Sequence, residues 1–304
     1  MGLRRTGAAV IAAAFLAFAV PVAVSARAAD VVTEKSLDEL KAEVLRRASE
    51  KPPRSMMEGM KLDDVREALS HITTLDRDEW ARAWIALGDR YMEWGQNRAR
   101  IGDIGKAKQQ LLLAYRYYKL GHYPVDNSPE KRRAYEKGID AFLVYARYLD
   151  PPLEVVDIPF EGKSIVGYLR LPKANKAVPV VYFVSALDSR KEEWIERNED
   201  YLSHGVGVFV TDMPGTGQAP ILADEHADRM FSRVLDWFAT RSDIDSKRIG
   251  LYGGSWSGYW AVKMAIVEHA RLRAVVAQGP GVHYYFQRDW QKTAVNAPEY
   301  LMDL

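Results

Sequence analysis

Cysteine is absent from all 304 residues, which excludes disulfides, a thiolate nucleophile and sulfur-ligated metals together. Histidine numbers only six, and no histidine and carboxylate stand at metal-ligand spacing, so neither a metal nor another cofactor is expected. A surplus of one charge is also missing. The 42 basic and 41 acidic residues leave a net charge of +1, which makes no electrostatic case for nucleic acid or an anionic membrane as partner. Beyond Val24 no segment is apolar for long enough to cross a bilayer. What remains is 48% apolar and 27% charged, an ordinary globular composition with enough chain for one large domain or two.

The exception is the N-terminus. Arg4 and Arg5 precede an uncharged, mostly aliphatic run from Ala8 to Val24, broken by Pro21. Ala26-Arg27-Ala28 then places small residues where a signal peptidase reads. The pattern predicts a signal peptide over residues 1–28, with cleavage after Ala28 and a secreted or periplasmic mature protein. An uncleaved anchor is the competing reading, because the run approaches spanning length. Arg4-Arg5 could open a twin-arginine signal, but Thr6-Gly7-Ala8 lacks bulky apolar residues and favours general secretion. Apart from this segment no membrane contact is expected.

From Ser36 to Tyr148 the periodicity is helical. Ser36-Leu37-Asp38-Glu39 is a capping box for a helix through Arg47. Leu62–Ile72 and Asp76–Trp94 follow, the latter with Trp80, Trp84, Leu87 and Tyr91 at three- and four-residue spacings. Ile104–Leu120 carries Leu111, Leu112, Tyr115 and Tyr118 on one side. Ser128-Pro129-Glu130 starts a last helix to about Tyr148. Helix pairs suggest tetratricopeptide repeats, but no fixed period of matching residues exists, so a non-repetitive helical domain over 29–150 is preferred.

Pro151-Pro152 marks the boundary to a second part, 151–304. Leu153–Phe160 and Ser164–Leu171 read as a hairpin around Glu161-Gly162-Lys163. Val178–Val184, Val206–Thr211, Arg248–Tyr252 and Leu272–Ala277 are short aliphatic runs. Helical segments at Lys191–Ser203, His226–Arg241 and Tyr259–His269 separate them. A hairpin followed by strand–helix repeats predicts an α/β fold, a mostly parallel sheet with helices on both faces. Ala297–Leu304 reads as a further helix.

One motif carries chemistry. Arg248 to Tyr252 is a strand, Gly253-Gly254-Ser255-Trp256-Ser257-Gly258 a tight turn, and a helix follows. A serine at such a turn is held in strained geometry with its hydroxyl above the sheet, so Ser255 is the candidate catalytic nucleophile. Gly253 sits two residues before it, and Ser257 stands where a second glycine is usual. The backbone N–H of Trp256 opens the helix and is an oxyanion donor. The second donor is expected from Ala186 or Leu187 in the loop after the third strand. A plain strand-to-helix turn is the bland alternative, and a phosphate loop is disfavoured by the missing lysine.

With these residues in place, the chain resembles the FrsA-type (fermentation–respiration switch) α/β-hydrolase family, whose branch includes pseudooxynicotine hydrolases with N-terminal helical caps. The matching segments run in order along nearly the whole mature chain. They are Ala114-Tyr115-Arg116-Tyr117-Tyr118, then Ala186 to Glu193, then Asp212-Met213-Pro214-Gly215-Thr216-Gly217 and the elbow. Arg271 to Val276 and Gly279-Pro280-Gly281-Val282-His283 complete the set. The resemblance implies an α/β-hydrolase fold under a helical cap. It also implies a triad acid and histidine following the serine, in segments beyond the sixth strand that this chain lacks. The chain is therefore expected to be truncated and inactive as it stands. Where the family has Gly-Gly, this chain has Ser185-Ala186, which shifts or tightens the oxyanion loop.

The remaining titratable groups offer no substitute. His269 should face solvent, His204, His226 and His71 precede the serine, and His283 lines the cleft in the family reading, with Tyr259 as a second pocket residue. Asp212 reads as the fixer of the Pro214-Gly215 turn, and Asp188 as a loop former and helix cap before Lys191. The function implied is hydrolysis of a carboxylic ester or a similar acyl or carbon–carbon bond in a small molecule, through Ser255. A non-catalytic binding protein on the same fold is the alternative. A homodimer is a further expectation.

Overall fold

The computed structural model describes residues 36–50, 57–289 and 292. The signal segment and the expected helix at 297–304 lie outside the described residues.

Local rules set the helices. Helix α1, Leu37–Glu50, opens on the expected capping box. The Ser36 N–H donates to Glu39 Oε2 at 2.8 Å, and the Glu39 N–H returns to Ser36 Oγ at 3.3 Å. Helix α2 is Leu62–Ser70. Helix α3, Arg77–Arg100, starts on Asp76, which accepts from the Glu79 N–H at 2.7 Å. Helix α4, Ile104–His122, is capped by Asp103. Helix α5, Pro129–Ala146, begins with proline at its first position behind Ser128. The aromatic stripe read from the sequence is core: Trp84, Tyr91, Leu111, Tyr115 and Tyr118 are buried. Asp64 of α2 accepts from both Tyr91 and Tyr117 at 2.5 Å, fastening α2 to α3 and α4.

Strands begin directly after Pro151-Pro152. β1, Glu154–Phe160, and β2, Lys163–Arg170, pair antiparallel with Phe160 opposite Lys163. The turn is thus two residues, Glu161 and Gly162, both at positive φ (47° and 76°), the geometry that matches strand twist. β3 (Val178–Val184), β4 (Gly207–Thr211), β5 (Ile244–Gly254) and β6 (Leu272–Gln278) complete a sheet of order β1-β2-β4-β3-β5-β6. β2 meets β4 antiparallel, and the four strands from β3 onward run parallel. β4 is buried along its whole length, as parallel strands covered on both faces should be.

The segment read as one helix at 191–203 is two, α6 (Lys191–Arg197) and α7 (Glu199–Ser203). They part at Asn198, whose Nδ2 donates back to the Trp194 carbonyl at 2.7 Å. Such a bond offers the chain an alternative to continuing the helix. Helices α8 (Asp228–Thr240) and α9 (Trp256–Val267) cover the other face, where Phe231, Val234, Phe238, Trp260 and Met264 pack against Tyr182, Phe209 and Leu251. On the first face, Tyr168, Phe183, Val208 and Val210 belong to one continuous core with the N-terminal helices. The change of backbone texture at Pro151-Pro152 therefore divides the secondary structure but not the core.

Candidate active site

The elbow forms because two glycines let backbones meet. A Cβ at Gly253 would fall 2.1 Å from the Ser257 carbonyl oxygen, and one at Gly258 3.0 Å from Pro280 Cα. Between them Ser255 takes φ 55°, ψ −125°, a region costly for a residue with a side chain and typical of functional positions. Its N–H donates to the Gln278 carbonyl at 2.8 Å, which ties the turn to the end of β6. Ser255 itself is exposed. Ser257 is fully buried, and its Oγ lies 3.1 Å from the Val184 carbonyl and 2.9 Å from that of Gly254. It also accepts from the Gly254 N–H at 2.9 Å. Serine in place of the usual glycine therefore adds bonds within the elbow instead of distorting it.

Ser255 opens on a cavity of about 460 Å³. Its floor is Tyr252, Gly254 and Ser255, with Gln278 and Gly279 alongside. Ala186, Asp188 and Ser189 come from the loop after β3, and Glu193, Trp194 and Arg197 from α6. Lys119 and Tyr123, at the end of α4, close it from the helical side.

The backbone amides expected to face an oxyanion differ in their surroundings. The Trp256 N–H is the first of α9 and has no partner among the described residues, as helix starts leave it. In the loop, Ala186 lines the cavity, but its N–H donates to Ser189 Oγ at 2.9 Å. Leu187 is 38% exposed, its carbonyl takes Arg190 Nη1 at 3.2 Å, and it does not line the cavity. Ser185, in place of glycine, accepts from the Met213 N–H at 3.1 Å through its Oγ. That bond fastens the loop to the end of β4.

One sequence reading is corrected. Asp188 does not cap α6: it accepts from Tyr123 Oη at 3.2 Å and faces the cavity. The cap position is Arg190, whose N–H donates to Glu193 Oε1 at 3.1 Å. His283 and Tyr259 are not among the residues that line this cavity. His283 is exposed in a short 3-10 turn beside Gln287, and Tyr259 packs on Trp260 and Phe286 with ring centres 5.2 and 5.3 Å apart.

Asp212 does fix its turn. Buried at the end of β4, it accepts from the N–H of Gln218 at 3.0 Å and that of Lys191 at 2.9 Å. A Cβ at Gly217 would fall 2.4 Å from its Oδ2, so only glycine fits there. The sequence did not disclose its partner, the fully buried Lys191, whose Nζ lies 3.0 Å from Asp212 and 2.9 Å from Glu192. Burial alone would raise the Asp212 carboxyl, but the charges of Lys191 and Arg190 and the two amides outweigh it and hold it below the ordinary aspartate value. Glu192 moves the other way, because burial outweighs Lys191.

All six histidines of the chain fall among the described residues, and none lines the cavity over Ser255. His71, His204, His226 and His269 are exposed. The sequence reading passed over His122, which is buried at the end of α4 against Tyr135, with Nδ1 unpartnered. Burial, with Arg190, Lys119 and Lys131 nearby, pushes it well below the usual histidine range and keeps it neutral. Nothing in its sequence context marked it. Among the described residues no group of three or more metal-ligating side chains could hold a metal ion, and no helix is long and apolar enough to cross a membrane.

A strained serine between a strand and a helix, above a parallel sheet with helices on both faces, is the arrangement of an α/β hydrolase. The family profile "Esterase FrsA-like" matches residues 63–304. The chain belongs to the FrsA-like esterase family. It is 28% identical over 218 residues to Esterase FrsA of Serratia proteamaculans (strain 568), covering 67% of this chain and 50% of that one. Against Esterase FrsA of Yersinia pestis (strain Pestoides F) the figures are 26% over 230 residues, 72% and 53%. The chain thus spans about half the length of these FrsA relatives. Two solved structures share the fold. The 2,6-dihydroxy-pseudo-oxynicotine hydrolase aligns with TM-score 0.65 at 20% identity, over 81% of this chain and 69% of that one. AbyA5 aligns with TM-score 0.66 at 24% identity, over 88% and 69%.

Proposed function

We propose that this FrsA-like chain carries the nucleophile of a serine hydrolase acting on a small-molecule carboxylic ester, or on a similar acyl or carbon–carbon bond. The observation that carries the reading is the backbone of Ser255, held at positive φ and exposed on the floor of the cavity. Ser255 Oγ would attack the carbonyl carbon while its proton passes to a base. The carbonyl oxygen, now negative, would rest on the Trp256 N–H and on a loop amide at Ala186 or Leu187, the former once Ser189 releases it. The leaving group departs with a proton, and water then splits the acyl-enzyme. The helices before residue 150 serve as the cap over this cavity.

Among the described residues no histidine lines this cavity, which supports the reading that the 304 residues carry a nucleophile without a base. Enzymes lacking triad members retain about 10³–10⁴ over water, against at least about 10⁶ for a working enzyme. The expressed chain should therefore show no measurable turnover of a p-nitrophenyl ester. Turnover that disappears on Ser255→Ala would confirm the nucleophile and refute the missing base. The same absence supports a second reading, a binding protein on the hydrolase fold. Reading the gene past codon 304 separates the two: an open frame supplying an acid and a histidine restores the enzyme, and the extended protein should then react at Ser255 with a fluorophosphonate.

A further inference from the structure

The wall of the Ser255 cavity contains a charge that the proposed chemistry does not use. Lys119 and Glu193 face one another at 2.5 Å, with side chains 7% and 6% exposed. Glu193 is amply served: Oε1 takes the Arg190 N–H at 3.1 Å, and Arg197 lies 3.8 Å from Oε2. Lys119 is not. An ammonium has three donors, and among the described residues Glu193 is its one acceptor. A second cavity of about 130 Å³ lies behind this pair and shares Lys119, Glu193 and Arg197 as wall. A buried ammonium with unused donors in the wall of the cavity that Ser255 also lines disfavours an alkyl chain and favours an oxygen acceptor.

We propose that Lys119 is the specificity-determining residue of this cavity, binding a second oxygen function, ketone or carboxylate, on the acyl part of a short substrate. The inference rests on Ser255 marking the reacting end, but Lys119 would recognise the ligand whether or not Ser255 is reactive. Fatty-acyl compounds, which offer the ammonium no acceptor, would be rejected. A merely structural tie between α4 and α6 would stabilise the protein without distinguishing ligands by their distal oxygen.

The test is a calorimetric titration of the Ser255→Ala chain with methyl pentanoate, methyl 4-oxopentanoate and monomethyl glutarate, three esters of equal acyl length whose reacting end is uncharged. The 4-oxopentanoate ester and monomethyl glutarate should bind at least about tenfold tighter than the pentanoate ester, the worth of one charge-assisted hydrogen bond. A gain for monomethyl glutarate alone would narrow the class to dicarboxylates. Adding Lys119→Met should bring all three to the level of the pentanoate ester, and Lys119→Arg should keep the preference. If Lys119→Met unfolds, as judged by circular dichroism, Lys119→Met with Glu193→Gln removes both charges and serves in its place. Equal binding of the three esters, no binding at all, or a preference surviving loss of Lys119 would each overturn the proposal. Ester turnover by the unmodified chain is a separate readout and reports on Ser255 alone.

Discussion

Gly253 and Ser257 touch through their backbones, so closely that a methyl group on Gly253 would stand 2.1 Å from the Ser257 carbonyl oxygen. β5 and α9 cannot separate here, because the Ser257 side chain also bonds to the carbonyl of Val184 on β3. Gly253→Ala should therefore destabilise the fold by about 2 kcal/mol or more, as overpacking against immovable backbone does. Urea denaturation measures it, and a loss below about 0.5 kcal/mol, the surface-mutation range, would contradict the geometry.

Ser255 and Ser257 should behave as unlike residues. Ser257→Ala leaves the Gly254 N–H without its acceptor and should cost about 1–2 kcal/mol. A fluorophosphonate should never label Ser257, which is buried. It should label Ser255 of this chain weakly or not at all, for want of a base. Mass spectrometry of the labelled peptide decides, and strong labelling at Ser255 would show that some group supplies the base.

The Lys191–Asp212 pair sets an acid-side stability limit. Asp212 has a folded value below its ordinary 3.8, so its contribution is complete above that value and is lost as pH falls through the folded value. Asp212→Asn should cost about 3 kcal/mol at pH 7, since it removes one partner of a buried lysine. The gap between variant and parent in urea melts should close below pH 3.8. A gap that widens with acid would reverse the assignment.

Export is read from the sequence alone. The mature protein should begin near Ala29 and be found outside the cytoplasm. N-terminal sequencing of the native protein checks it, and Met1 recovered intact from a membrane fraction would favour the anchor instead.

Much of this protein is local and could be read without coordinates. Capping boxes, proline at a helix start and runs of β-branched residues act within a few positions, and most of the described helices and strands stand within a few residues of where those signals put them, although α3 runs on from Trp94 to Arg100. Ser255 was equally legible, because a strained turn needs small residues beside it in sequence. The partners of charged groups were not. Asp188 reads as a cap from its spacing, yet it bonds to Tyr123, 65 residues away; Asp212 reads as a turn former, yet it also neutralises Lys191. His283 and Tyr259 follow the nucleophile in sequence and are not in the lining of the cavity over it, whereas Lys119, 74 residues from Glu193, stands in its wall. Backbone conformation is chosen by neighbours along the chain, and the sequence alone determined it. Which charges share a buried space depends on how α4 packs over α6 and the β3 loop, and only the tertiary structure decided that.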